Sequence, residues 1–286
     1  MSEFSIMNEI NAIEIDTIEQ PPHPKYSICT LLTEKDQYAD ALASFREAGF
    51  TEPECEFLYI DNTTTNKYDA YAGVNQFLQK AQGDYIILCH QDLILHADNR
   101  VKLDQIIDEV SLLDNNWALL GNAGGTVPGR QAYHLTEYTG EQKHYLCRGK
   151  FPAKANSLDE NFIVVRKSAN LSVSHDLSGF HMYGTDLCMI AKILGYTAYV
   201  VDFHLWHLGG ASTKAPVIKG AHAVSSFDLN RESLIRKYQK AFTPGYIQTT
   251  CTIFYLSGSK LKNHLFNNKH FFSIQKRINS LKHKFQ

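Results

Sequence analysis

Four short strand-like runs, Tyr26–Leu32, Glu56–Ile60, Tyr85–Cys89 and Trp117–Leu120, alternate with segments whose apolar residues recur at helical spacing. After the first run come Tyr38, Leu42 and Phe45, and Gly49 closes that helix. The second is followed by a helix expected from about Tyr68 to Gln82, with Val74, Phe77, Leu78 and Ala81 inward and Gly83 as its C-cap. Leu103, Ile106, Ile107, Val110 and Leu113 follow the third, behind a cap expected at Asp98. Runs that are apolar nearly throughout suit strands covered on both faces, because one wet face would impose alternation. Strand and helix in strict alternation specify an α/β chain with a mostly parallel central sheet and helices on both faces.

The rest of the 286 residues must be fitted around that core. Residues 121–157 are rich in glycine and aromatic residues and read as a long loop or small meander, the kind of insertion that carries function in a compact domain. Phe162–Arg166 returns to strand character. A helix with Leu187, Ile190, Ala191 and Leu194 on one side follows, then Gly195, a strand at Tyr196–Val201 and a last amphipathic helix at about Asp228–Lys240.

Three domains are expected: an N-terminal extension (1–25), the α/β domain (26–245) and a C-terminal basic tail (246–286). The extension has isoleucines at 6, 10, 13, 15 and 18, which fit a short helix or an added strand, and ends in Pro21, Pro22 and Pro24. Charge is polarised along the chain although the formal total is -2. The first 24 residues hold Glu3, Glu9, Glu14, Asp16 and Glu19 without a Lys or Arg; residues 260–286 hold seven basic residues and no acid. The acidic start is unlike a secretory leader, and no run approaches the roughly 18 apolar residues of a membrane span. With no global basic field, nucleic acid is not an expected partner. The tail sets Leu261, Leu265, Phe266, Phe271, Phe272, Ile274, Ile278 and Leu281 among its cations, which suits either peripheral contact with an anionic membrane or packing on protein. Six cysteines without CxxC spacing read as buried thiols of a reducing, cytoplasmic compartment.

The polar ends of the strands carry the chemistry. Asp61 ends the second, His90, Gln91 and Asp92 end the third, and Asp202 to Gly210, with His204 and His207, ends the late one; Asp186 opens a neighbouring helix. In open α/β sheets ligands bind outside the carboxyl ends of the strands. Carboxylate and imidazole together suit Mn²⁺ or Mg²⁺ held beside a phosphate, while each residue alone also serves as a surface or capping group.

From Tyr26 to Lys240 the sequence resembles the family 2 glycosyltransferases of GT-A (Rossmann-like) fold, in particular bacterial members linked to capsule and cell-surface polysaccharide. The likeness is carried by Cys29-Thr30-Leu31, Asp61, Ala72-Gly73-Val74-Asn75, the Gly83-to-Asp92 stretch, Phe180-to-Asp186 and His207 with Gly209-Gly210. It implies that Thr30 and Asp61 hold the donor nucleoside, with His90 and Gln91 beside them. Asp92, standing for the last Asp of the family's Asp-x-Asp motif, would bind a divalent ion on the donor diphosphate, and His207, or His204 near it, would complete the shell. Here His90 replaces the motif's first carboxylate, leaving metal binding, a ribose contact or a structural role open to it. Asp186, where Thr185 replaces the family's Glu, would be the base of an inverting transfer to a glycan or lipid-linked hydroxyl; it also fits a helix N-cap. Trp206 would stack on a sugar or pack. Two other readings stand: a non-catalytic binding module of the same fold, and a sugar nucleotidyltransferase. The second is disfavoured because Thr30-Leu31-Leu32-Thr33-Glu34 is not the glycine-rich, basic loop it needs after the first strand.

Overall fold

The computed structural model describes residues 23–127, 130–209, 226–248 and 253–268, in two compact units, Met1–Lys214 and Ala215–Gln286. The expected boundary at 245/246 falls inside the second unit. The N-terminal extension up to residue 22, the tail from 269 and Gly210 lie outside the described residues.

The first unit begins as the alternation requires: β1 (Tyr26–Leu32), α1 (Lys35–Glu47), β2 (Cys55–Asp61), α2 (Ala70–Lys80), β3 (Tyr85–Cys89), the short β4 (Leu93–Ile94), α3 (Arg100–Leu113) and β5 (Trp117–Gly121). The glycine-rich stretch is a meander: β6 (Ala123–Gly125), β7 (Gln131–Thr139), β8 (Gln142–Arg148), β9 (Ala153–Ala155) and β10 (Ser157–Leu158). Then come β11 (Phe162–Arg166), α4 (Tyr183–Ile193), β12 (Thr197–Val200) and β13 (Leu205–His207). The central sheet runs β2-β1-β3-β11-β5-β12-β9 and a second sheet runs β10-β6-β7-β13-β4, with β8 on β7. This is the mixed α/β architecture with a large central sheet that the alternation implied.

Two strands depart from the parallel expectation: β9, antiparallel to β12 at the sheet's edge, and β11 in its interior. β11 is antiparallel to both β3 and β5. The physical reason is its connection. The chain leaves β5 at the carboxyl edge, spends the meander there and re-enters without a crossover helix, so it must run back the opposite way.

Burial follows sheet position. β1, β3, β5 and β11 are buried along nearly their whole length, whereas the edge strand β2 is mostly half-buried. Helix α3 seats Leu103, Ile106, Ile107 and Val110 in the core, the spacing the sequence shows, whereas Leu113 in its last turn is exposed. Its N-cap is Asn99, whose side chain accepts from the Lys102 N–H; Asp98 instead accepts from the His204 N–H. Gly83 is not the C-cap of α2, which ends at Lys80 with Ala81 as the cap. Gly83 donates its N–H to Ser27 Oγ, and a Cβ there would stand 2.6 Å from the Ser27 backbone nitrogen, so the entry to β3 demands a glycine. Of the cysteines, Cys29, Cys55, Cys89 and Cys188 are buried free thiols as expected, while Cys147 is exposed on the partly wet hairpin strand β8.

The second unit contains α5 (Ser226–Ala241), the antiparallel pair β14 (Gly245–Gln248) and β15 (Ile253–Leu256), and α6 (Lys260–Phe266), capped by Ser259. No helix among the described residues is long and apolar enough to cross a membrane.

Candidate functional site

Strand β3 delivers His90, Gln91 and Asp92 to the carboxyl edge of the central sheet, and β4 follows at once to join the second sheet. There β13 pairs with β4, setting His207 opposite Leu93, and the Leu208 N–H donates to the Asp92 carbonyl at 3.0 Å. These contacts gather one ligand atom each from His90, Asp92 and His207 to within 4.8 Å of one another. His207 Nε2 lies 3.5 Å from Asp92 Oδ1, and the His90 and His207 rings are 5.7 Å apart.

Burial and mutual charge set the protonation of this group. Burial holds His90 below the ordinary imidazole value, against the pull of Asp92 and with a further push from His207. Burial also opposes ionisation of Asp92, but the hydrogen bond and charge of His207, with His90, outweigh it and leave the carboxyl below its usual range. His207 is raised: burial lowers it, yet the bond to Asp92 and that charge prevail. An ionised carboxylate flanked by a neutral imidazole is a donor set for a divalent ion. Asn161 adds to the fit: it is 2 % exposed, its backbone carbonyl accepts from the His90 N–H, and its side-chain oxygen is buried without a hydrogen-bond partner. A buried acceptor left unmatched beside such a cluster fits a polar ligand at this edge.

His204 is on the other side of the second sheet. Its ring stacks on His134 at 4.6 Å and its Nε2 pairs with Thr136 Oγ1, so it does not join the cluster. Trp206 shares that side and is covered by the His96 ring at 4.0 Å and the Lys143 ammonium at 3.9 Å, which is packing.

The remaining sequence candidates are placed as follows. Thr30 is 2 % exposed, with its hydroxyl 3.3 Å from Cys89 Sγ, and is a core residue between β1 and β3. Asp61 ends β2 and folds back on its own turn, Oδ1 accepting from the Thr63 N–H and hydroxyl, with Lys35 at 3.8 Å from Oδ2. The Thr63 bonds, aided by Lys35 and Lys67, hold its carboxyl below the usual value. Gln91 is buried, its oxygen accepting from the Thr33 and Glu34 N–H groups at 2.7 and 2.8 Å while its nitrogen donates to Thr33 Oγ1 and Gln37. It therefore braces the β1–α1 turn and has no side-chain atom left to read a nucleotide.

Asp186 is fully buried at the start of α4, its two oxygens accepting from the Ser174 N–H at 2.7 Å and Ser174 hydroxyl at 2.8 Å. In this arrangement it anchors the 174 segment and offers no oxygen to a solvent-borne hydroxyl. It is not the N-cap either, a position held by Met182.

The turn Asp159–Asn161 carries no motif that marks it as part of a site. Its one signal in the sequence is a pair of adjacent acids, separated from the β11 run by Asn161. The direction of β11 brings it to the edge that carries His90 and Asp92, where the Asn161 carbonyl accepts from the His90 N–H.

No protein-family model matches the chain. A curated protein of Fuscovulum blasticum, "ATP synthase subunits region ORF 6", is 34% identical over 230 residues, which cover 78% of this chain and 86% of that protein. The chain belongs to the ORF 6 family. That name specifies no reaction. Among solved structures, the ORF 6 family chain is similar to a mannosyltransferase, PcManGT from Pyrobaculum calidifontis, in complex with GDP-Man and Mn²⁺, at 12% identity and a TM-score of 0.44, covering 83% of this chain and 70% of that one. It is also similar to S. aureus TarS 1-349, at 13% identity and a TM-score of 0.43, over 64% of this chain and 60% of that one. GalNAc-T7 with UDP, GalNAc and Mn²⁺ follows at 9% identity and a TM-score of 0.40, over 66% and 45%. The chain thus spans less than two thirds of the TarS fragment's length.

Proposed function

We propose that this chain is an inverting, metal-dependent glycosyltransferase that moves a sugar from a nucleotide-sugar donor to a hydroxyl of a glycan or lipid-linked acceptor in cell-surface polysaccharide synthesis. The observation that carries the reading is the convergence of His90, Asp92 and His207 from two sheets onto the carboxyl edge of β3. That edge is where α/β sheets bind nucleotides, and a divalent ion bound there would neutralise the charge that builds on the departing diphosphate.

Two imidazoles and one carboxylate favour Mn²⁺ over Mg²⁺, because Mg²⁺ is a hard ion that prefers oxygen ligands throughout. Asp92 and His207 supply the clearest donor pair, and His90 fits as the third ligand. The nucleoside lies, on this reading, between the β1–α1 turn braced by Gln91 and the Asp61–Thr63 turn. The work is placed in the cytoplasm, where free thiols such as Cys29 and Cys89 persist, with the basic tail at the membrane face that carries lipid-linked acceptors.

The test is a thermal-shift and turnover screen of UDP-, GDP-, dTDP- and CMP-sugars with Mn²⁺ or Mg²⁺. We expect one donor class to raise Tm and to be hydrolysed or transferred in Mn²⁺, and Asp92→Ala and His207→Ala to abolish both effects. A folded wild-type chain that binds and turns over no nucleotide sugar with either ion would leave a non-catalytic binding module of the same fold.

A further inference from the structure

If Asp186 is committed to Ser174, the transfer needs another proton acceptor, and the structure offers one beside the metal ligands. The turn between β10 and β11 is fixed from both ends: the Asp159 N–H donates to the Ala123 carbonyl, and the His90 N–H donates to the Asn161 carbonyl, each at 3.0 Å. The second bond extends the β3–β11 ladder one pair beyond Cys89 and Phe162, into the metal motif itself. Asp159 is exposed, and the Asn161 N–H fixes its side chain by donating to Oδ1 at 3.0 Å. Its charge reaches both His90 and His207, yet it is not one of the three groups whose ligand atoms come within 4.8 Å of one another.

Its neighbours are otherwise engaged. Glu160 turns the opposite way, its Oε1 accepting from the Gly184 N–H at 3.1 Å and its carbonyl from the Tyr183 hydroxyl at 3.0 Å. It thereby caps α4 from outside, since Met182 at the N-cap makes no side-chain cap bond. Burial, then the charge of Asp159, pushes the Glu160 carboxyl up to about 8 despite those backbone bonds. A Cβ at position 184 would meet the Leu158 carbonyl at 2.4 Å, so glycine lets the two segments close. Of the two acids on this turn, Asp159 is the one whose carboxylate is oriented, open to solvent and within electrostatic reach of both His90 and His207.

We propose that Asp159 is the catalytic residue that takes the acceptor's proton. The inference rests on the glycosyltransferase reading. As the acceptor oxygen bonds to the anomeric carbon, its proton passes to the free oxygen of Asp159. The bond from that carbon to the diphosphate oxygen breaks, and its electron pair leaves with the nucleoside diphosphate.

The experiment uses the full chain, Mn²⁺ and the nucleotide sugar that the wild type turns over. Asp159→Asn is isosteric, keeps an acceptor for the Asn161 N–H and sits on the surface, so the fold is retained. It should lower kcat by about 10² to 10⁴, leave Mn²⁺ affinity and donor KM near wild type, and remove the acid limb of the kcat pH profile. Asp186→Asn should lower Tm. Wild-type kcat in Asp159→Asn overturns the proposal. So does loss of Mn²⁺ binding in that variant, which would make Asp159 a ligand. An Asp186→Asn chain with unchanged Tm and no turnover returns the role to Asp186. A wild type inactive on every donor defeats the glycosyltransferase reading and this inference with it.

Discussion

Gln91 shows how one side chain couples two functions. Placed between two metal-ligand candidates, it satisfies two backbone N–H groups of the β1–α1 turn and donates to two further acceptors. Gln91→Leu removes the acceptor of the Thr33 and Glu34 N–H groups at a partly buried turn, where a lost hydrogen bond costs about 0.5–1.5 kcal/mol. The expected outcome is a urea midpoint lowered accordingly and a donor KM raised more than kcat falls. Gln91→Glu keeps the acceptor oxygen for both N–H groups and should recover part of the KM loss, which a merely destabilising change would not show. The sequence marks the residue through its motif but not its role, because an amide's partners are set by a turn almost sixty positions away.

Among elements, α3 gives a separable pair of tests. Asn99 caps it and the neighbouring Asp98 holds the His204 N–H just before β13. Asn99→Ala should cost about 1 kcal/mol of stability with metal affinity unchanged. Asp98→Ala frees the approach to β13 and should weaken Mn²⁺ binding, read by titration calorimetry. At the far end of α3, Asp114 accepts from the Thr197 hydroxyl at 2.6 Å and the Tyr199 hydroxyl at 2.8 Å, tying the helix to β12. The Thr197 bond, then burial acting against it, then the Tyr199 bond leave this carboxyl below its ordinary value. A folded value under the unfolded one means that the contribution is present above the unfolded carboxylate range and is lost as pH falls through the folded value. The stability gap between wild type and Asp114→Asn should therefore narrow on acidification below about pH 4, in pH-dependent denaturant curves. Most elements were legible because their signals are local: the apolar runs of β1, β3 and β11 and the four-residue rhythm of α3 match the observed ranges closely. The direction of β11 was not, since orientation is decided by what connects it, and the glycine-rich meander gives no periodicity to show that a helix is missing. That one reversal hid Asp159, which a parallel β11 would have carried to the opposite edge. The burial of Asp186 and Thr30 was hidden for a related reason: motif position reveals residue type but not burial.

At the scale of the whole first unit, the candidate site is a seam. His90 and Asp92 come from the end of a central-sheet strand and His207 from the second sheet. An ion held by all three would join the two sheets as well as the donor, so it should stabilise the fold and not merely the reaction. At a free Mn²⁺ concentration of about 100 times Kd, linkage gives about 2.7 kcal/mol. We expect Tm to rise with Mn²⁺, to return on chelation, and to be insensitive to Mn²⁺ in His207→Ala; an equal rise in that variant would place the ion elsewhere. The reversed strand has a wider consequence. In a wholly parallel sheet this edge receives only the last residues of strands and the first of helices. With β11 turned around it also receives a strand's opening residues, on a short turn that closes without a crossover. Such a turn can change length or side chain without shifting the register of β1, β2 or β3, so the surface of this edge can be revised there while the frame of the sheet keeps its dimensions.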